Sequence, residues 1–195
     1  VWIHGIEVWE SLGGDHLRTL HRADMVLVNS QTTLDRHQAI HGELRRVHVC
    51  WLGTEAAAPP EKGADFQGPP TVLMLARIVS PHGQKGHAEL LAAWPAVVAA
   101  VPSARLVFAG GGPGLDELNA LVRASAARAS IDVLGFVAEE RIPDLFRQAH
   151  VFAMPSRKEG FGIVYAEAMR FGIPVIASDL DAGKEINLDG VTGYN

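Results

Sequence analysis

A single cysteine, Cys50, stands among the 195 residues, so no internal disulfide can form and the bridge-stabilised secreted folds are excluded. Positive charge is also scarce. Lys and Arg number 17 against 22 Asp and Glu, the net charge is -5, and no basic run is longer than Arg45-Arg46. Nucleic acid, whose phosphates call for a basic surface, is therefore not the expected partner. Long hydrophobic runs are missing as well. The most extended, "LLAAWPAVVAAV", holds a proline and falls short of the ~20 apolar residues a spanning helix needs. With no transmembrane span and no signal peptide, a reducing cytoplasm is the expected location. There is no glycine-flanked serine elbow, which removes serine hydrolase chemistry. An initiating methionine is lacking too, since the chain opens on "VWIHG" and closes on "DGVTGYN", both strand-like, so it reads as an excerpt of something longer.

What is present is an aliphatic content ample for a packed core: 48% of residues are hydrophobic. From Thr71 onward short aliphatic runs alternate with helix-length amphipathic ones. The strand candidates are "TVLMLA", "RLVFAG", "IDVLGF", "VFAMPS" and "PVIAS". The segments between them predict helices over His87 to Val101, Leu115 to Ala129, Glu139 to Gln148 and Phe161 to Phe171. Strands alternating with helices imply an α/β fold with a parallel sheet covered on both faces. Such sheets bind ligands beyond the carboxyl ends of their strands.

The first part has the same rhythm in a thinner layer. "VWIHG", "MVLVNS" and "RVHVCWLG" predict strands, with helices near Ser11 to His21 and Thr33 to His41. Residues 1–54 thus read as the back half of a larger domain, 55–70, rich in proline, glycine and alanine, as a linker, and 71–195 as a second unit.

Two constellations carry chemistry. The segment "EGFGIVYAE" places Glu159 and Glu167 at either end of an otherwise apolar run that predicts a helix buried nearly all round. A buried carboxylate needs partners, so Glu167 either locks to a structural group or faces a polar ligand. Glu159 precedes the helix beside Gly160 and Gly162, where the main chain can approach a ligand and free amides attract anions. The second constellation is Arg77, at the end of a strand, with Lys85 at the next helix start. Two such cations can clamp a diphosphate or stand as solvated loop charges.

Other signals point less far. "AGGGPG" follows a strand and precedes a helix, yet Leu115 occupies the third small-residue position of a dinucleotide fingerprint and Asp132 opens its strand instead of closing one. It reads as a flexible turn beside the cleft. The histidines are scattered; His37 and His41 share a helix face, more simply a surface face than a metal site.

"ARIVSPHGQKG", "FAGGGPG", "FVAEERIPDLFRQAHVFAMPSRKEGFGIVYAEAMRFGIPVIAS" and "DGVTG" together resemble the donor-binding domain of retaining glycosyltransferases of family 4, which have the GT-B fold, and "HGIEVW" is similar to a loop of that family's amino-terminal domain. The resemblance implies two Rossmann-like domains, the first only partly present, and a hexosyltransferase moving a sugar from a UDP-, GDP- or ADP-sugar to a glycan or lipid-linked acceptor, in polysaccharide, glycolipid or cell-surface glycan synthesis. It implies that Arg77 and Lys85 neutralise the donor diphosphate, that Glu167 holds the ribose, and that Glu159 faces the transferred sugar. The amides of Gly160, Phe161, Gly162 and Ile163 would contact the donor, the base would lie near Phe136 and Val137, and His4 would reach in from the other domain. It further implies a front-face mechanism with no cofactor and no obligatory metal, and peripheral contact with the inner face of a membrane through segments outside this chain. A non-catalytic nucleotide-sugar binding module and a sugar-nucleotide epimerase of the same fold are the competing functions. One difference from the family stands out: "SDLDAGKE", with Asp181, Ala182 and Gly183, occupies a place where many members carry paired glycines.

Overall fold

The computed structural model describes residues 1–54 and 68–195. The expected linker at 55–70 lies, apart from its last three residues, outside the described residues.

Two parallel sheets organise the chain. In the first, β1 (Trp2–Ile3), β2 (Val26–Val28) and β3 (Val47–Val49) lie in sequence order, joined by α1 (Gly14–Arg22) and α2 (Gln31–His41). Val26 and Val28 are fully buried and anchor a small core with Ile3, Val8, Trp9, Leu20, Leu34 and Leu44. Ser30 sets the start of α2: it stays extended and its hydroxyl accepts the Thr33 N–H at 3.0 Å, a serine N-cap that begins the helix two residues earlier than the expected Thr33.

The second sheet has six strands in the order β6-β5-β4-β7-β8-β9, all parallel. These are β4 (Thr71–Leu75), β5 (Arg105–Ala109), β6 (Ile131–Gly135), β7 (Val151–Ala153), β8 (Val175–Ile176) and β9 (Gly193–Tyr194), connected by α3 (His87–Ala100), α4 (Leu115–Ala124), α5 (Ile142–Gln148), α6 (Ile163–Arg170) and α7 (Gly183–Ile186). Its core is built from the strand interiors Leu73, Met74, Leu106, Phe108, Phe152 and Val175 and from helix residues such as Trp94, Leu118, Phe146 and Tyr165 that cover them. Burial on both faces explains why the strands read as continuous aliphatic runs.

Further helix boundaries differ from expectation. α4 stops at Ala124 instead of Ala129, because Ser125 turns extended and its hydroxyl takes the Ala127 N–H, a local bond that competes with the helix. The segment from Glu139 begins as a short 3-10 turn to Arg141 before α5, where a proline sits in the first turn. α6 begins at Ile163 instead of Phe161, since Gly162 adopts φ +90°, a left-handed conformation that a side chain would strain. Nor is α6 buried all round. Tyr165 and Ala168 are enclosed, but Ile163 is 38% exposed, so the helix has an open face.

In a sheet of this order the strand sequence reverses direction between β4 and β7. The loops after those two strands diverge and leave a crevice at their carboxyl ends. The β4–α3 loop carries Arg77 and Lys85, and the β7–α6 loop carries Glu159.

Candidate functional site

At the crevice, the Lys85 ammonium meets the Glu159 carboxylate, with side-chain exposures of 34% and 18%. The two loops are knitted together beneath the pair: Gln84 O accepts the Ser156 hydroxyl at 3.0 Å and the Arg157 N–H at 2.7 Å. Lys85 is therefore held close to the start of α3, whose first turn lacks intrahelical acceptors for its amides.

Beside this pair, the loops after β4, β5 and β6 enclose a cavity of about 600 Å³ lined by Leu75, Ala76, Arg77, Gly110 to Gly112, Phe136, Val137 and Ile142. Arg77 is exposed there, and Phe136, 81% exposed, presents an open aromatic face. The glycine run expected to form a flexible turn is firmly bonded. Ile78 N–H donates to Gly111 O, Gly110 N–H to Gly135 O and Gly114 N–H to Ile78 O, at 2.8 to 3.0 Å. Lys85, Glu159 and Glu167 do not line this cavity; the first two form the neighbouring cluster and Glu167 stands on α6.

Glu167 is half-buried on the helix face that includes Arg170. Burial raises its pKa above the ordinary carboxylate value, Arg170 opposes that, and Glu139 adds to it. Phe161, in contrast, is 4% exposed, so its ring belongs to the core and only its main chain can face the crevice. Ile163 opens α6 at the exposed side.

The first sheet's unit closes over this region at Gly160. A Cβ built on Gly160 would lie 2.3 Å from His4 O and 3.1 Å from Gly5 Cα, so only glycine permits the approach. Gly160 O accepts the Ser30 hydroxyl at 2.7 Å and the Thr33 hydroxyl at 3.2 Å. The Gly160 carbonyl thus serves the joint between the units, while the expectation concerned its amide N–H. His4 enters through its main chain: its N–H donates to Glu7, its carbonyl accepts from Asn29 at 2.5 Å, and its exposed ring stacks on Trp2 at 5.2 Å.

The joint has further polar members that sequence reasoning did not single out. Glu185 accepts the Gln31 and Thr32 N–H groups at the start of α2, Arg36 donates to Leu180 O at 2.7 Å, and Lys158 pairs with Glu10 at 2.9 Å. Nor is His37 on a surface: it is fully buried, 4.8 Å from the His41 ring. Among the described residues no group of three or more His, Cys, Asp or Glu side chains could hold a metal ion, and no helix is long and apolar enough to cross a membrane.

Two parallel α/β units meeting at the carboxyl ends of their strands, with the site at the sheet's switch point, define a GT-B fold. The chain belongs to the glycosyl transferases group 1 family, whose model matches residues 58–195. It is 37% identical over 131 residues to the GDP-mannose-dependent alpha-(1-6)-phosphatidylinositol monomannoside mannosyltransferase of Mycobacterium tuberculosis, covering 64% of this chain and 33% of that protein. It is 39% identical over 177 residues to the phosphatidyl-myo-inositol mannosyltransferase of the same organism, covering 81% and 46%. The chain thus spans about a third to a half of the length of these relatives. Among solved structures it is similar to Anabaena HepE in complex with UDP and glucose (TM-score 0.80, 23% identity, 99% of this chain and 56% of that one) and to TarM (TM-score 0.81, 18% identity, 99% and 39%).

Proposed function

We propose that the protein acts as a retaining hexosyltransferase of the family-4 type, taking a sugar from a nucleoside diphosphate donor to a glycan or lipid-linked acceptor. The observation that carries this reading is the Lys85–Glu159 pair, set at the switch-point crevice beside the Arg77 and Phe136 cavity and closed over by the other unit at Gly160. The GDP-mannose-dependent mycobacterial relative, which acts on a phosphatidylinositol monomannoside, favours GDP-mannose and a glycolipid acceptor, and the second relative favours mannose and a phosphatidylinositol lipid.

In this reading the base occupies the cavity against Phe136 and Val137, Glu167 accepts from the ribose hydroxyls, and Arg77 with Lys85 neutralises the diphosphate. Glu159 lies one residue from the Gly160 joint and faces the sugar, with the amides of Gly162 and Ile163 nearby; His4 borders the same space from the first unit. The reaction breaks the bond from C1 to the diphosphate oxygen, the electron pair leaving with the diphosphate. Positive charge from Arg77 and Lys85 stabilises that departing anion more than it stabilises the bound donor, which is what accelerates the step. The acceptor oxygen bonds to C1 on the same face, and its proton passes to the departing diphosphate. No protein nucleophile enters, and the two cations do the electrostatic work that a divalent ion would otherwise supply. Any peripheral membrane contact would follow from a lipid acceptor.

The test is to incubate the protein with GDP-mannose, UDP-glucose and ADP-glucose and with phosphatidylinositol as acceptor, reading the anomeric configuration of the product by NMR. A glycoside with the donor's own configuration is the expected result. An inverted product, or interconversion of the free sugar nucleotide without an acceptor, would overturn it.

A further inference from the structure

The loop after β8 contains a carboxylate that the proposed reaction leaves without a role. Asp181 is 0% exposed, and the donors on it are uncharged: Oδ2 accepts the main-chain N–H of Glu159 at 2.8 Å and Oδ1 accepts that of Gly183 at 2.9 Å. The next residue completes the grip, because Ala182 N–H donates to Glu159 O at 3.2 Å. Both main-chain polar groups of Glu159 are thus tied to consecutive residues of one loop. On its other side, Gly160 is fixed by Ser30 and Thr33.

The consequence falls on the Glu159 side chain. With its main chain bonded on both sides, its carboxylate leaves from a defined point and reaches Lys85. A carboxylate is the group this arrangement requires, since two separate N–H donors converge on it and each needs an oxygen. An amide of the same shape offers one oxygen and turns an NH₂ donor toward the other N–H. Burying a carboxylate is costly, and burial holds the Asp181 pKa above its ordinary value despite the main-chain bonds it accepts. An acid kept at such a place does something an apolar residue would not.

We propose that Asp181 is a positioning residue for recognition of the transferred sugar: by clamping the main chain of Glu159 it aims the Glu159 carboxylate at the sugar hydroxyls, leaving nucleotide binding to other groups. This rests on the reading of Glu159 as the residue that faces the sugar.

The test compares wild type with Asp181→Asn and Asp181→Ala in two ways. Amide hydrogen exchange by NMR reports the clamp without any ligand, and Glu159 N–H should exchange at least roughly tenfold faster in both variants. Calorimetry then uses GDP-mannose with GDP, or UDP-glucose with UDP, whichever pair wild type binds better. The nucleoside diphosphate should keep its Kd within about threefold, while the sugar nucleotide should weaken by roughly tenfold or more, so that the sugar's added affinity disappears. Unchanged exchange at Glu159, or equal losses for both ligands, would overturn the role of Asp181 while the donor site stands. Wild type that binds neither pair would instead overturn the proposed function, and this inference with it.

Discussion

Glu185 Oε1 accepts the main-chain N–H of Thr32 at 2.6 Å, and its other oxygen accepts that of Gln31 at 2.8 Å, across 153 and 154 residues of sequence. One carboxylate from the second unit thereby caps the first turn of a helix in the other, satisfying two amides that have no intrahelical acceptor and meeting the positive end of the helix dipole. Because Ser30 caps Thr33 within the same turn, the start of α2 is a docking point for both Glu185 and Gly160 O.

Glu185→Ala should therefore cost about 0.5 to 2 kcal/mol of stability, the range for loss of a capping side chain. Glu185→Gln, which keeps one acceptor, should cost less. Urea denaturation gives the numbers, and hydrogen exchange at Gln31 and Thr32 should accelerate in the alanine variant while that of Leu73 and Phe108 in the second core stays slow. Uniform acceleration would show that the residue supports the whole fold and not the joint.

His87 gives the protein a pH dependence of definite sign. It is 1% exposed at the start of α3, and burial first, then the Lys85 charge, push its pKa down to about 4 against the pull of Glu89. The native state holds the neutral ring while the unfolded chain protonates near pH 6.5. The associated stability is thus fully present above pH 6.5 and lost as pH falls toward 4, about 3 kcal/mol in all. His37, lowered by burial, adds in the same direction. His87→Leu should flatten the fall in stability between pH 6.5 and 4, as measured by denaturation at a series of pH values; an unchanged slope would show that His87 is not the group responsible.

Glu167 should separate binding from folding. Burial raises its pKa, so its ionised form opposes the folded state as pH rises. Glu167→Gln should leave thermal stability at neutral pH equal or higher, and should weaken nucleoside diphosphate binding by roughly tenfold or more, the size expected when a charged hydrogen-bond acceptor is removed. A loss of stability with unchanged binding would assign the residue to the scaffold.

The alternation of aliphatic runs and helix-length segments made the second sheet legible, since a strand such as Thr71–Leu75 that is covered on both faces leaves an uninterrupted hydrophobic trace. The placing of Lys85 and Glu159 at the sheet's carboxyl edge could be anticipated because each follows a strand, but not their pairing with each other. The joint could not. Nothing local to Glu185 indicates Gln31 or Thr32 as its partners, and nothing local to Asp181 indicates its burial or its bond to the Glu159 N–H. The open face of α6 was hidden for a related reason: the apolar character of Ile163 says nothing about whether another element covers it.

The central claim is that the switch-point crevice takes a nucleoside diphosphate through Arg77 and Lys85. The most direct measurement is a calorimetric titration of the folded protein with UDP, GDP, ADP and NAD, repeated on the Arg77→Ala, Lys85→Ala double variant. The account predicts binding of one nucleoside diphosphate with NAD silent, reduced by roughly a hundredfold in the double variant while the weak binding of the bare nucleoside is unchanged. A folded wild type that binds none of the nucleoside diphosphates, or a double variant that binds them as wild type does, would contradict it.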